Sequence, residues 1–81
     1  MEANNILERL KNGEELQPIA GYAISNSGGI LIYYADSECV VIQYPNDPPE
    51  ICEIRYDMSG HLYFRVGELK IMLNECITFS R

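Results

Sequence analysis

The stretch Gly29–Tyr44, GILIYYADSECVVIQY, constrains this chain more than any other. Two apolar runs, Ile30–Tyr34 and Cys39–Tyr44, flank the turn Ala35-Asp36-Ser37-Glu38. β-Branched and aromatic residues dominate both runs, so the stretch reads as a hairpin of two strands. With those four residues as the loop, Tyr34 faces Cys39, Ile32 faces Val41 and Ile30 faces Gln43. The other face pairs Leu31 with Ile42 and Tyr33 with Val40. A half-buried hairpin alternates apolar and polar residues, but this one is apolar on both faces. It needs cover on two sides, from its own chain or from a partner.

The remaining elements are read around that hairpin. Ala3–Asn12 fits a short helix, capped at its start by Asn4 or Asn5 and closed by Gly13, with Ile6, Leu7 and Leu10 on one face. So short a helix must dock on something apolar, and one face of the hairpin is the dock. Ile19–Ser25 reads as a strand with Tyr22 and Ile24 inward, while Gly21 and Ala23 leave its other side small enough for a close neighbour. Asn26-Ser27-Gly28-Gly29 is a turn signal, and Pro45-Asn46-Asp47-Pro48-Pro49-Glu50 ends the third strand in an exposed loop.

Ile51–Tyr56 and Leu62–Val66 then alternate around a loop Met58-Ser59-Gly60, a type I turn with Gly60 left-handed in a G1 bulge. This register places Tyr56/Leu62, Ile54/Phe64 and Cys52/Val66 on the core face. Arg55/Tyr63 and Glu53/Arg65 fall outside, as a cation–π contact and an ion pair. The tail spacing fits either a helical face or strands; its length favours strands Leu69–Met72 and Cys76–Ser80 about a kink at Leu73-Asn74-Glu75. The expected fold is α+β: a short N-terminal helix followed by a five- to six-stranded antiparallel β-meander, as a curled sheet or small partial barrel. Residues 1–81 are expected to form a single domain.

Twelve acidic residues against six basic ones give a net charge of −6. That balance opposes binding to a nucleic-acid backbone or an anionic membrane and fits a basic protein partner. No apolar run approaches the roughly 20 residues that span a bilayer. The opening MEANNILERLKNGEEL lacks the apolar core of a signal peptide, so the expected location is cytoplasmic. Cys39, Cys52 and Cys76 read as small buried apolar residues in a reducing compartment. A zinc site completed by His61, or a disulfide, is the alternative. Closely spaced cysteine pairs are missing, so neither a metal nor another cofactor is expected.

His61 is the single histidine, in a tight turn beside Asp57, where cross-strand pairing accounts for both. Gly28-Gly29 lacks the lysine and following helix of a phosphate loop, and no carboxylate spacing singles out a catalytic pair. An enzyme is not expected. What remains is surface. The candidate partner-binding residues are the acids Asp36, Glu38, Asp47, Glu50 and Glu53, a span without Lys or Arg, and the tyrosines Tyr33, Tyr34, Tyr44 and Tyr63. The acids belong to loops at opposite ends of one strand and do not form one stripe.

The leading expectation is a small acidic, non-catalytic protein-binding module. In length, charge and element order the chain is similar to small proteins of phages and mobile elements, anti-CRISPR and other anti-defence inhibitors among them. That resemblance implies blocking of a basic nucleic-acid-binding protein or nuclease, with the five acids presented to a basic groove. The alternative is a homo-oligomeric structural or regulatory subunit, such as a homodimer that buries the apolar sheet face against itself.

Overall fold

A computed structural model of the chain describes residues 2–24 and 28–79. The turn expected at Asn26-Ser27 and the end of the last expected strand at Ser80 lie outside them. The described elements are one short helix and eight strands in two antiparallel sheets. Helix α1 spans Ala3–Lys11 and buries Ala3 and Ile6. Its N-cap is Glu2, with no side-chain capping bond, so Asn4 and Asn5 lie inside the first turn instead of before it. The helix end is as expected. Gly13 is left-handed (φ 86°), and the Gly13 and Glu14 amides donate to Leu10 and Arg9 carbonyls, both at 3.0 Å, which closes a Schellman motif.

The larger sheet contains β1 (Ala20–Ile24), β2 (Gly28–Tyr34), β3 (Cys39–Gln43), β4 (Glu50–Glu53) and β8 (Ile77–Thr78), in the order β4-β3-β2-β1-β8. The smaller contains β5 (Arg55–Tyr56), β6 (Leu62–Val66) and β7 (Leu69–Met72), in that order. A 3₁₀ turn, Leu73–Glu75, forms the kink between β7 and β8. The tail is therefore extended, as its length indicated. The sheets do not close into a barrel, and the strands exceed the five or six expected: both tail segments, Leu69–Met72 and Ile77–Thr78, form strands, and the expected strand Ile51–Tyr56 is split in two. At Ile54 the chain leaves β3 and joins β6: Cys39 pairs with Glu53 on one side of the break and Arg55 with Tyr63 on the other. The Ile54 amide itself donates to the Glu38 carbonyl at 2.7 Å.

The central hairpin is β2–β3, and its register differs by one residue from the expected one: Ile32 pairs with Ile42, Tyr33 with Val41 and Tyr34 with Val40. The cause is Asp36, whose carboxylate accepts the Glu38 and Cys39 amides, both at 2.8 Å, and tightens the loop to Asp36-Ser37-Glu38. A slip of one residue reverses every side chain of β3 relative to β2. Both faces are covered by the chain itself. Ile30, Ile32, Val40 and Ile42 pack with Phe64 and Ile71 of the second sheet, while Tyr33, Ala35 and Val41 pack with Ala3 and Ile6 of the helix. Each fully buried Val, Ile or Phe side chain among these contributes about 1.5–3 kcal/mol.

The second hairpin follows expectation at its turn. Asp57 and His61 pair through a 2.9 Å backbone bond, and Gly60 takes φ 83°, a conformation that costs a side-chain-bearing residue dearly. Tyr56 pairs with Leu62 and Arg55 with Tyr63 as read. Beyond Ile54 the rungs Glu53/Arg65 and Cys52/Val66 do not form, since β4 belongs to the other sheet.

Candidate functional site

The loop Asp36-Ser37-Glu38 and the break at Ile54 meet at one corner of the molecule, tied by the bond from the Ile54 amide to the Glu38 carbonyl. Three carboxylates surround Cys39 there. Asp36 caps the loop, Glu38 ends it, and Glu53 stands across from Cys39 on β4. All three are exposed. Desolvation, followed by the charges of Asp36, Glu53 and Glu38, pushes the Cys39 thiol above its usual range. Arg55 donates to Glu53 at 2.7 Å and is the ion-pair partner for this group among the described residues. Exposed ion pairs of this kind contribute about 0–1 kcal/mol. Glu38 and Asp36 form no ion pair among the described residues, and Asp36 Oδ1 is already occupied by the Glu38 and Cys39 amides.

A cleft of about 410 Å³ opens at this corner, with Glu38, Cys39, Glu53, Arg55 and Tyr56 on its walls. Tyr56 is 72% exposed, although its place opposite Leu62 read as core. β5 is a two-residue edge strand with no sheet above it, and burial therefore stops at Ile54. Alternation alone carried no sign of this.

The other candidate residues lie elsewhere. Asp47 and Glu50 sit at the far end of β3, so the five acids form two groups, as read. Glu50 accepts a hydrogen bond from the Tyr44 hydroxyl, and Gln43 Nε2 ties down the intervening loop at the Tyr44 and Asp47 carbonyls (3.0 and 3.3 Å). Tyr33 is only 5% exposed under the helix and is not a contact residue. Tyr34 and Tyr44 are half-buried against the inter-sheet core. Burial raises the hydroxyl pKa of Tyr33, Tyr34 and Tyr44, with Cys76 adding to it for Tyr34 and chiefly Glu50 for Tyr44. Tyr63 is half-buried on the outer face of the second sheet. Its cation is not the cross-strand Arg55: Lys70 Nζ lies 4.4 Å and the Arg65 guanidinium 5.9 Å from the ring centroid.

The cysteines do not converge. Cys39 packs on the helix side, and Cys52 and Cys76 on the inter-sheet side. All three are free thiols, and among the described residues no three His, Cys, Asp or Glu side chains are placed so that they could hold a metal ion. His61 serves the turn: its amide and that of Ser59 donate to the Asp57 carboxylate, both at 2.9 Å.

A second surface is apolar. Helix α1 packs over β3 and β4, and the β1–β8 end of the same sheet face is left with Ala23, Leu31, Ile77 and Phe79. Ile77 is 61% and Phe79 39% exposed. No helix among the described residues is long and apolar enough to cross a membrane. Comparison with protein-family models, with curated proteins and with solved structures finds no match to this chain.

Proposed function

We propose that this chain is a non-catalytic protein-binding module that occupies a basic surface of a larger protein through the Asp36–Glu38–Glu53 corner. The observation behind this reading is the exposed Tyr56 beside a cleft walled by Glu38 and Glu53. A lysine or arginine entering the cleft meets carboxylates at its head and an aromatic face along its stem, two favourable contacts at one point. Tyrosine also supplies rigid contact area of the kind found at interface anchors. In its finer form, the reading makes the chain a phage- or mobile-element-encoded inhibitor that covers the basic groove of a nucleic-acid-binding protein or nuclease. The net charge of −6 favours fast, salt-sensitive association with such a partner. A cytoplasmic location fits the three free thiols.

Titration with an arginine-rich peptide tests the reading. Affinity is expected to fall steeply with salt, to drop at least about tenfold in an Asp36→Asn/Glu38→Gln/Glu53→Gln variant, and to hold in a Glu14→Gln/Glu15→Gln control. Equal binding by the two variants would overturn it.

The second reading, self-association, is favoured by the apolar patch at the β8 edge, where Ile77 and Phe79 are exposed. It predicts a dimer or larger species by light scattering that Ile77→Glu disperses. Ile32 and Val41 are unsuited to this test, because both are buried in the core.

A further inference from the structure

The outer face of the second sheet carries a charge arrangement at odds with the rest of the chain. Three of the six Lys and Arg residues, Arg55, Arg65 and Lys70, share that face with Tyr63. Arg65 and Lys70 stand directly opposite each other across β6–β7. Like charges in directly opposed positions destabilise a sheet. Twelve acids were available to neutralise them, yet neither cation forms an ion pair among the described residues. The Tyr63 ring holds both instead, with Lys70 the nearer. A cation–π contact fixes an ammonium or guanidinium without consuming its charge. β7 is also the last strand of its sheet, so among the described residues one of its edges has no paired strand.

We propose that this face binds an acidic extended segment of a protein partner, added as a strand beside β7 with its carboxylates on Lys70 and Arg65. A strand added at that edge lies about 5 Å from β7 and about 10 Å from β6, so an acid opposite Lys70 meets it directly. The long Arg65 side chain spans the one intervening strand to a carboxylate on the same face, while the backbone pairs with the edge of β7. The bound carboxylates relieve the repulsion between Arg65 and Lys70. Arg55 lies at the margin, already engaged by Glu53. A nucleic acid suits the face less well. The ring that could stack on a base is covered by Lys70, and a long polyanion is repelled by the rest of a chain of net charge −6.

The probe is a fluorescent (Thr-Glu)₄ peptide, followed by anisotropy at low salt with the intact chain. Binding is expected, with slowed amide exchange in β7, and the (Thr-Gln)₄ peptide is expected not to bind. Arg65→Gln/Lys70→Gln is expected to lose at least about tenfold in affinity, and Arg9→Gln/Lys11→Gln to lose none. Lys70→Gln alone is expected to keep or raise the urea midpoint while weakening the peptide. Absence of binding, equal binding by the double variant, or a Lys70→Gln that loses stability with unchanged affinity would each overturn the proposal. So would tighter binding of an oligothymidylate. The probe is opposite in charge to the ligand of the acidic corner, so failure here leaves that reading standing.

Discussion

The ring of Phe79 lies over Gly21, so close that a Cβ at Gly21 would fall 2.6 Å from the ring's Cε2. This contact, with the Phe79 amide bonded to the Ile19 carbonyl at 3.0 Å, holds the tail against β1. A methyl at a strand glycine gains roughly 0.5–1 kcal/mol from the stiffer chain, whereas overpacking costs about 1–3 kcal/mol. Gly21→Ala is therefore expected to destabilise by about 1 kcal/mol in urea unfolding. In a Phe79→Ala background the same change should become neutral or stabilising, which assigns the cost to this contact.

The hairpin register has its own test, because it places Val41 and Ile42 in different cores. Val41→Ala and Ile42→Ala should each cost about 2–4 kcal/mol. In double-mutant cycles Val41 should couple to Ile6 and not to Phe64, with Ile42 showing the reverse. The four-residue loop would exchange those partners.

The difference between the two registers shows where local pattern stops being informative. Ile30–Tyr34 and Cys39–Tyr44 are apolar at nearly every position, so either register buries apolar side chains on both faces. The deciding group was a single carboxylate, Asp36, at the first loop position, where its turn-forming tendency is a readable signal. In the second hairpin Asp57 and Gly60 fixed the turn unambiguously, and the first two rungs followed. The third failed because the Ile54 amide is bonded to Glu38, a partner distant in sequence. The acids of the candidate site were legible as charge. Their convergence with Tyr56 was not, since it depends on that same long-range bond. Tyr33 went the other way, because its alternation put it on a face but could not say that the helix would cover it.

Acid should weaken the second hairpin. Hydrogen bonds from the His61 and Ser59 amides hold the Asp57 carboxyl below its usual range, the His61 bond contributing most. A depressed carboxylate gives its stability above the unfolded-state pKa, and that stability is lost as pH falls through the folded value. The urea midpoint should therefore drop below about pH 4. In Asp57→Ala this component of the acid dependence should vanish and the Ser59 and His61 amides should exchange faster at all pH values.

Alkali should act through Tyr44. Burial, and then the hydrogen bond to Glu50, raises its hydroxyl pKa well above the ordinary range. A neutral acid favoured by the fold gives stability that is complete below the unfolded-state pKa and declines as pH rises above about 10. Tyr44→Phe should show a shallower alkaline loss in urea unfolding. Its cost near neutral pH should be about 1 kcal/mol, that of one hydrogen bond.

Binding at the acidic corner is located by backbone amide mapping of the isotope-labelled chain during titration with an arginine-rich peptide. Perturbations are expected to be confined to Ser37–Cys39 and Glu53–Tyr56 and to be lost when Asp36, Glu38 and Glu53 are neutralised. Perturbations centred instead on Ile77 and Phe79, or a response that survives the neutralised variant unchanged, would contradict binding at that corner.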